Sequence, residues 1–321
     1  MSAAGVHAPP ADPMAGCTPL PDVIGPVFAK ELRQGLRAHR FVLPFVAAQL
    51  FALMAIGSEL AISSAFHDGS GPGSFGGLVV TVVVVAVGLV MPMTHIGALR
   101  PELGDGRNIE LLLMSNLDRW QIVWGKWLVG FVLAMLMLVS LLPYLLARYF
   151  AGGVELMDYL LTLIGVVLGS GLLTGIAVGA SGFGNLLGRF FLIGVGLFSA
   201  WGSVMAAGWR FFEKTASATG GAAFWPGLAS VAVSALVAAL YVVYGLQLGR
   251  ARLRLFENPI DPPASGLIIA LIIFTPIVTG IATAVTVGWG AWVAVAGLLG
   301  LALSIDRGPG RSGARAVYLQ P

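Results

Sequence analysis

Long apolar runs alternate along the chain with short clusters of charge, glycine and proline. A helix needs about 20 apolar residues to cross the hydrocarbon of a bilayer. Eight segments approach or reach that length: 41–63, 78–98, 128–147, 159–181, 190–209, 227–247, 266–288 and 289–304. The last is short and reads as the return arm of a hairpin that turns at Gly288, Trp289 and Gly290. The pattern predicts an all-α, polytopic helical membrane protein with about eight transmembrane helices.

Residues 26–40 carry a different pattern. Laid on a wheel at about 100° per residue, Phe28, Leu32 and Leu36 form one stripe, and Lys30, Arg33, Arg37 and Arg40 fall on the other side. This is the signature of a basic amphipathic helix lying in the interface just before the first span. Simple anchoring by positive charge accounts for the basic residues but does not call for the apolar stripe.

Composition narrows the picture further. Hydrophobic residues make up 57% of the 321 and charged residues only 10%, against about 25% in an ordinary soluble domain. Too few polar side chains remain to coat a globule in water. The net charge of +3 is not a nucleic-acid footprint, because the basic residues sit between apolar runs rather than in one patch. If the N-terminus is cytoplasmic, 15 of the 18 lysines and arginines fall on the cytoplasmic side, leaving Arg148, Arg210 and Lys214 outside. That bias places both termini in the cytoplasm of a multi-pass protein of the cell (plasma or inner) membrane. Residues 1–25 lack an apolar core and read as a flexible cytoplasmic tail, and 306–321 as a second one. Cys17 is the only cysteine, which rules out an intrachain disulfide.

The connection 100–127 is too charged to cross a bilayer and too apolar for a free loop. Within it, 108–114 reads as a short helix with Ile109, Leu112 and Leu113 free to pack. Ser115 and Asp118 have capping-box spacing, with Asp in place of Glu, so a new helix is expected to start there. Trp120, Trp124 and Trp127 then recur at helical spacing into the third span. A docking platform for a cytoplasmic partner has this character; so does a structured turn packed on its own bundle.

The stretch from Asn108 to Lys126 resembles the connection between the second and third spans of type 2 ATP-binding-cassette transporter permeases. Glu110, Leu111, Leu112, Leu113, Ser115, Leu117, Trp120, Ile122, Gly125 and Lys126 match that pattern, and Asn116 stands where proline is common. Phe28-Ala-Lys-Glu-Leu-Arg33 is similar to the family's opening helix. The resemblance covers roughly residues 26–254. It implies a six-helix permease core, 41–255, and a coupling helix that docks on a separate ATPase. By that analogy Asn108, Ile109, Glu110, Leu112, Leu113, Ser115, Asp118, Arg119 and Trp120 contact the partner. It further implies a second permease subunit, as a homo- or heterodimer, and ATP and magnesium held by the ATPase, with no cofactor on this chain. The hairpin 256–305 departs from the family's usual six spans.

Other features carry less. Gly165 and Gly169, and Gly171, Gly175 and Gly179, are spaced for close helix packing, within the chain or at a dimer seam. Thr275, Thr279 and Thr283 share one face of the seventh span and are expected to bond back to their own helix. Pro92 and Pro276 mark expected kinks. The loop 210–225, with Phe211, Phe212, Phe224 and Trp225, is expected on the outer membrane surface. Glu59 and Arg148 both fall near the outer face and are expected to pair. No phosphate-binding loop is present: Gly125-Lys126 is followed by Trp127 and lacks the leading glycine. No catalytic or metal-ligating constellation is visible, so the chain is not expected to be an enzyme, and its partners are the bilayer and proteins rather than nucleic acid. The alternatives to a permease are a stand-alone channel or secondary transporter, or a non-catalytic membrane assembly protein. The absence of ionisable residues near the midplane weighs against an ion-coupled carrier.

Overall fold

The computed structural model describes residues 26–65, 77–100, 119–150, 156–218, 224–257, 265–286 and 289–305. Every regular element among them is helical. In chain order they are α1 (Pro26–Arg37), α2 (His39–Ala65), α3 (Leu78–Met93), α4 (Arg119–Phe150), α5 (Leu156–Ala180), α6 (Leu186–Ala218), α7 (Phe224–Glu257), α8 (Ser265–Thr286) and α9 (Trp289–Ser304). Six of these, α2 and α4 to α8, are long and apolar enough to cross a membrane, and α3 and α9 are shorter apolar helices. The expected eight spans are therefore six long helices and two short ones.

Several boundaries differ from the sequence reading: α1 ends at Arg37 rather than at residue 40, α3 ends at Met93 rather than at 98, and α7 runs on to Glu257 rather than ending at 247. Segment 210–225 is not a surface loop throughout: α6 continues to Ala218 and α7 starts at Phe224. Helix propensity persists through that stretch, whose aromatic and charged residues ended the hydropathy-defined span too early. By contrast, among the described residues α4 runs from Arg119, well before the apolar run at 128, in keeping with the helix expected to start at Ser115–Asp118, and the three tryptophans lie on it as their spacing predicted.

Three buried clusters organise the bundle. One joins α2, α3 and α4 to the first half of α5. A larger one joins the second half of α5 to α6, α7, α8 and α9. A small third one, Leu99, Val123, Val178 and Leu246, bridges α4, α5 and α7. Helix α5 thus contributes to all three, and its most extensive contact is with α7. Glycine makes that contact possible. A Cβ on Gly175 would stand 3.0 Å from Val242 Cα, and one on Gly179 would stand 2.9 Å from Gly245 Cα. Backbone lies against backbone here, the close approach that lets dispersion hold helices together in lipid. Gly165 and Gly169 have no such neighbour within 4 Å.

Helices α8 and α9 are integral to the second cluster. Thr275, Thr279 and Thr283 are buried on one face of α8, and each donates to a carbonyl one turn back, Leu271, Thr275 and Thr279 respectively. The same face meets hydroxyls of α6 and α7. Tyr244 Oη lies 3.1 Å from Thr275 Oγ1, Tyr241 Oη lies 2.6 Å from Ser199 Oγ, and Ser199 donates to the Ile272 carbonyl. The expected self-bonding of the threonines is present, with the tyrosines of α7 added to it.

At the far end of the bundle from α1, α3 opens next to Glu59. The Glu59 carboxylate accepts the backbone N–H groups of Leu78 (2.9 Å) and Val79 (3.2 Å), and its second oxygen lies 2.7 Å from Arg148 Nε. The expected Glu59–Arg148 pair is formed, and it also caps a helix whose first N–H groups have no intrahelical acceptor. Helix α3 is itself irregular: a π-helical run, Val84–Val90, separates an α-helical start from a last turn, Met91–Met93, that contains Pro92. Proline has no N–H to donate, and the widened turns precede it directly.

Two outcomes follow for stability in detergent. Gly179→Ala and Gly245→Ala should each lower the unfolding midpoint, by an amount equivalent to about 1–3 kcal/mol of overpacking. Gly165→Ala and Gly169→Ala should leave it unchanged or raised. Glu59→Gln or Arg148→Gln alone should cost roughly 3–5 kcal/mol by leaving a buried charge unpaired. The double variant should lose clearly less than the sum of the two; strictly additive losses would show the pair to be uncoupled.

Candidate functional site

The described parts of the two stretches that carry the family resemblance, 28–33 and 119–126, come together at the α1 end of the bundle. Phe28 and Leu32 are half-buried against the first cluster, and Gly35 lets α1 approach α4, since a Cβ there would lie 3.0 Å from Leu133 Cδ1. Lys30, Arg33, Arg37 and Arg40 are exposed, as the wheel predicts, while Leu36 is also exposed. The apolar stripe therefore serves partly to seat α1 on its own bundle.

An ion pair fixes that seat. Lys126 Nζ, on a buried side chain of α4, donates to Glu31 Oε1 of α1 at 3.0 Å. A charge withdrawn from water needs a hydrogen-bonded counter-charge, and Glu31 supplies it from α1, which packs against the start of α4. Glu31 is part of the opening-helix motif and Lys126 is the last residue of the connection motif, 95 positions away. Hydropathy gives no signal for this pairing: Glu31 reads only as a polar position beside Leu32.

Further along α4, an aromatic series runs from Trp120 through Trp124 and Trp127 to Phe131. Successive ring centroids are 6.4, 4.7 and 5.4 Å apart. Trp127 Nε1 donates to the Gly171 carbonyl of α5 at 2.9 Å, and Trp120 packs beside the third cluster. Gly130 leaves room for His95, because a Cβ at Gly130 would stand 3.1 Å from His95 Cδ2 and 2.7 Å from Thr174 Cγ2. The start of α4 is thus held on three sides, by α1, by the turn after α3 and by α5.

The turn between α5 and α6, residues 181–185, lies at the same end. Ser181 Oγ accepts the Leu99 N–H at 3.1 Å. Arg189 is buried and donates to the carbonyls of Phe183 (2.6 Å), Gly184 (3.4 Å) and Ile96 (3.5 Å). The Arg252 guanidinium stacks 3.8 Å above the Phe183 ring, an arrangement that attracts through the ring quadrupole. In sequence Arg189 counted only as one more cytoplasmic charge; its part in tying the α5–α6 turn to the end of α3 needed the three-dimensional fold.

Asn108, Ile109, Glu110, Leu112, Leu113, Ser115 and Asp118 lie outside the described residues. Of the proposed coupling set, Arg119 opens α4 and Trp120 is half-buried one residue later. Among the described residues, no group of three or more His, Cys, Asp or Glu side chains comes together. The start of α4 is thus a joint between helices, clamped to α1, to the turn after α3 and to α5 within its first three turns.

Comparison of the chain with protein-family models, with curated proteins and with solved structures found no match.

The joint is testable by hydrogen exchange. Lys126→Ala or Glu31→Ala should speed exchange of backbone amides in residues 28–37 by roughly tenfold, the loss of one charge-assisted hydrogen bond, with α5 and α7 unaffected. Unchanged exchange in α1 would show that apolar packing alone holds it.

Proposed function

We propose that this chain is the membrane-spanning permease subunit of an ATP-binding-cassette transporter, working with a separate ATPase chain. The observation that carries this reading is the Glu31–Lys126 ion pair, which joins the two stretches that resemble the type 2 permeases. In this reading motion passes through the opening helix and the start of the third span, and a part-buried salt bridge between them suits that. The clamped start of α4 directly follows the segment assigned to coupling.

In this reading ATP and magnesium bind the partner, and closure of two ATPase subunits pushes on residues 108–119. The push passes through α1 and α4 into the spans, and substrate moves between two permease subunits. Both termini are cytoplasmic and the chain lies in the cell membrane. The 15-to-3 distribution of lysine and arginine supports that orientation. The buried hydroxyls of α6, α7 and α8 bond to one another and to their own helices, which argues for a packed core there rather than a polar path for an ion-coupled carrier.

The test is to tag the chain, extract it gently from its native membrane and identify copurifying proteins by mass spectrometry. An ATP-binding-cassette ATPase is expected with the wild type and should be lost from Glu110→Ala and Trp120→Ala at equal permease recovery. A well-folded preparation that carries no ATPase would overturn the proposal in favour of a stand-alone membrane protein.

A further inference from the structure

A basic cleft opens between the ends of three helices on the α1 side of the bundle. Its volume is about 880 Å³, and its walls come from the start of α2, the turn after α3 and the start of α6. Three arginines and a histidine line it: Arg40, Arg100, Arg189 and His39. No carboxylate among the described residues lines it. Arg40 and Arg100 are exposed, and Arg189 is buried. The backbone carbonyls that Arg189 binds lie at 2.6, 3.4 and 3.5 Å. A guanidinium has five N–H donors, so Arg189 retains capacity for an anion. Arginine stays protonated at any physiological pH, and three such charges around one cleft repel one another unless an anion lies between them.

An apolar groove lies beside the cleft. Leu43 and Pro44 line the cleft, and Pro44 is shared with this second cavity, about 290 Å³, between α2 and α3. Ala47 and Phe51 line one side of that groove, and Val82, Val85 and Val90 line the other. The only hydroxyl there, on Thr81, is already bonded to the Gly77 carbonyl at 2.6 Å. From Pro44 to Phe51 the groove follows α2 for about 10 Å at 1.5 Å per residue, a large part of the roughly 15 Å depth of one leaflet's hydrocarbon. Small side chains on α2 and the widened turns of α3 leave this channel open.

A polyvalent cationic cleft at the ends of apolar helices, sharing Pro44 with an apolar groove that runs along α2, matches one kind of molecule in both charge and shape. We propose that an anionic phospholipid binds here, its phosphate among Arg40, Arg100, Arg189 and His39 and one acyl chain between α2 and α3. The shared chemistry of the cleft is phosphate recognition; the groove assigns it to a lipid rather than to free phosphate. The inference requires only a membrane-embedded bundle and stands apart from any coupling to an ATPase.

Native mass spectrometry of the full chain in mild detergent, titrated with phosphatidylglycerol or phosphatidylcholine, tests it. The wild type should retain phosphatidylglycerol in a one-to-one complex and prefer it over phosphatidylcholine. Arg40→Gln combined with Arg100→Gln should weaken that binding roughly tenfold or more, the loss expected for two basic contacts at a membrane surface. Lysine at both positions should largely restore it, and Ala47→Phe, which fills the groove, should weaken both lipids. The glutamine pair should unfold at the same temperature as the wild type without lipid, since both arginines are exposed; Ala47→Phe gives an independent readout if it does not. Equal retention of the two lipids would overturn the proposal. So would an equal loss in Arg33→Gln with Arg37→Gln, which removes charge from α1 and leaves the cleft intact. Displacement of phosphatidylglycerol by millimolar inorganic phosphate would make this a free-phosphate site. A lipid-free species of twice the chain mass, abolished by Ala47→Phe, would assign the groove to a second copy of the chain.

Discussion

Gly175 and Gly179 of α5 lie against Val242 and Gly245 of α7 with no side chain between the two backbones. In hydrocarbon, helices gain nothing from leaving water a second time, so they hold together by dispersion contacts and by whatever polar bonds they share. Close approach increases both. Because α5 belongs to all three buried clusters, its contact with α7 also sets the spacing between the two halves of the bundle. The share of each apolar span that is buried follows the same logic. It is 61% for α7 and 56% for α5 but 17% for α2, which leaves α2 with a broad apolar face outward.

Charge is handled at the ends. Glu59 with Arg148 lies at one end and Glu31 with Lys126 at the other, and in each pair the partners come from different helices. Each pair has a second duty. Glu59 satisfies two backbone donors at the start of α3, and Lys126 draws α1 onto α4. An ion pair with one partner removed is far more costly than the intact pair is beneficial, so these contacts fix which helices may be neighbours more than they add stability. Arg189 does the same with carbonyl oxygens in place of a carboxylate.

Hydropathy alone was enough for the helical class, the approximate number of spans and the amphipathic character of 26–37, because lipid demands long uninterrupted apolar helices and the sequence has to supply them. The pairing of Glu59 with Arg148 was also legible, since both are lone charges at the same predicted depth. Glu31 with Lys126 was not: each sits in a region already rich in charge, where depth does not single out a partner. The continuation of α6 through 210–218 escaped because the helix outlasts its apolar stretch. The cleft formed by Arg40, Arg100 and Arg189 escaped for another reason. Each residue was explained by the orientation rule, and that rule says nothing of which loop ends meet. The coupling role proposed for 108–118 rests on resemblance alone.

The hydroxyl network of α6, α7 and α8 bears on the order in which the chain can be assembled. Helices leave the ribosome in sequence, so α6 and α7 are made before α8. Until α8 joins them, the hydroxyl of Tyr244 lacks Thr275, whereas Ser199 keeps the Tyr241 hydroxyl of α7. An unpaired hydroxyl in hydrocarbon is unfavourable, so the first seven helices form an incomplete body that favours the arrival of the eighth. Docking of α8 therefore completes the hydroxyl pairing of the bundle, and a chain stopped before residue 265 would leave the Tyr244 hydroxyl without Thr275.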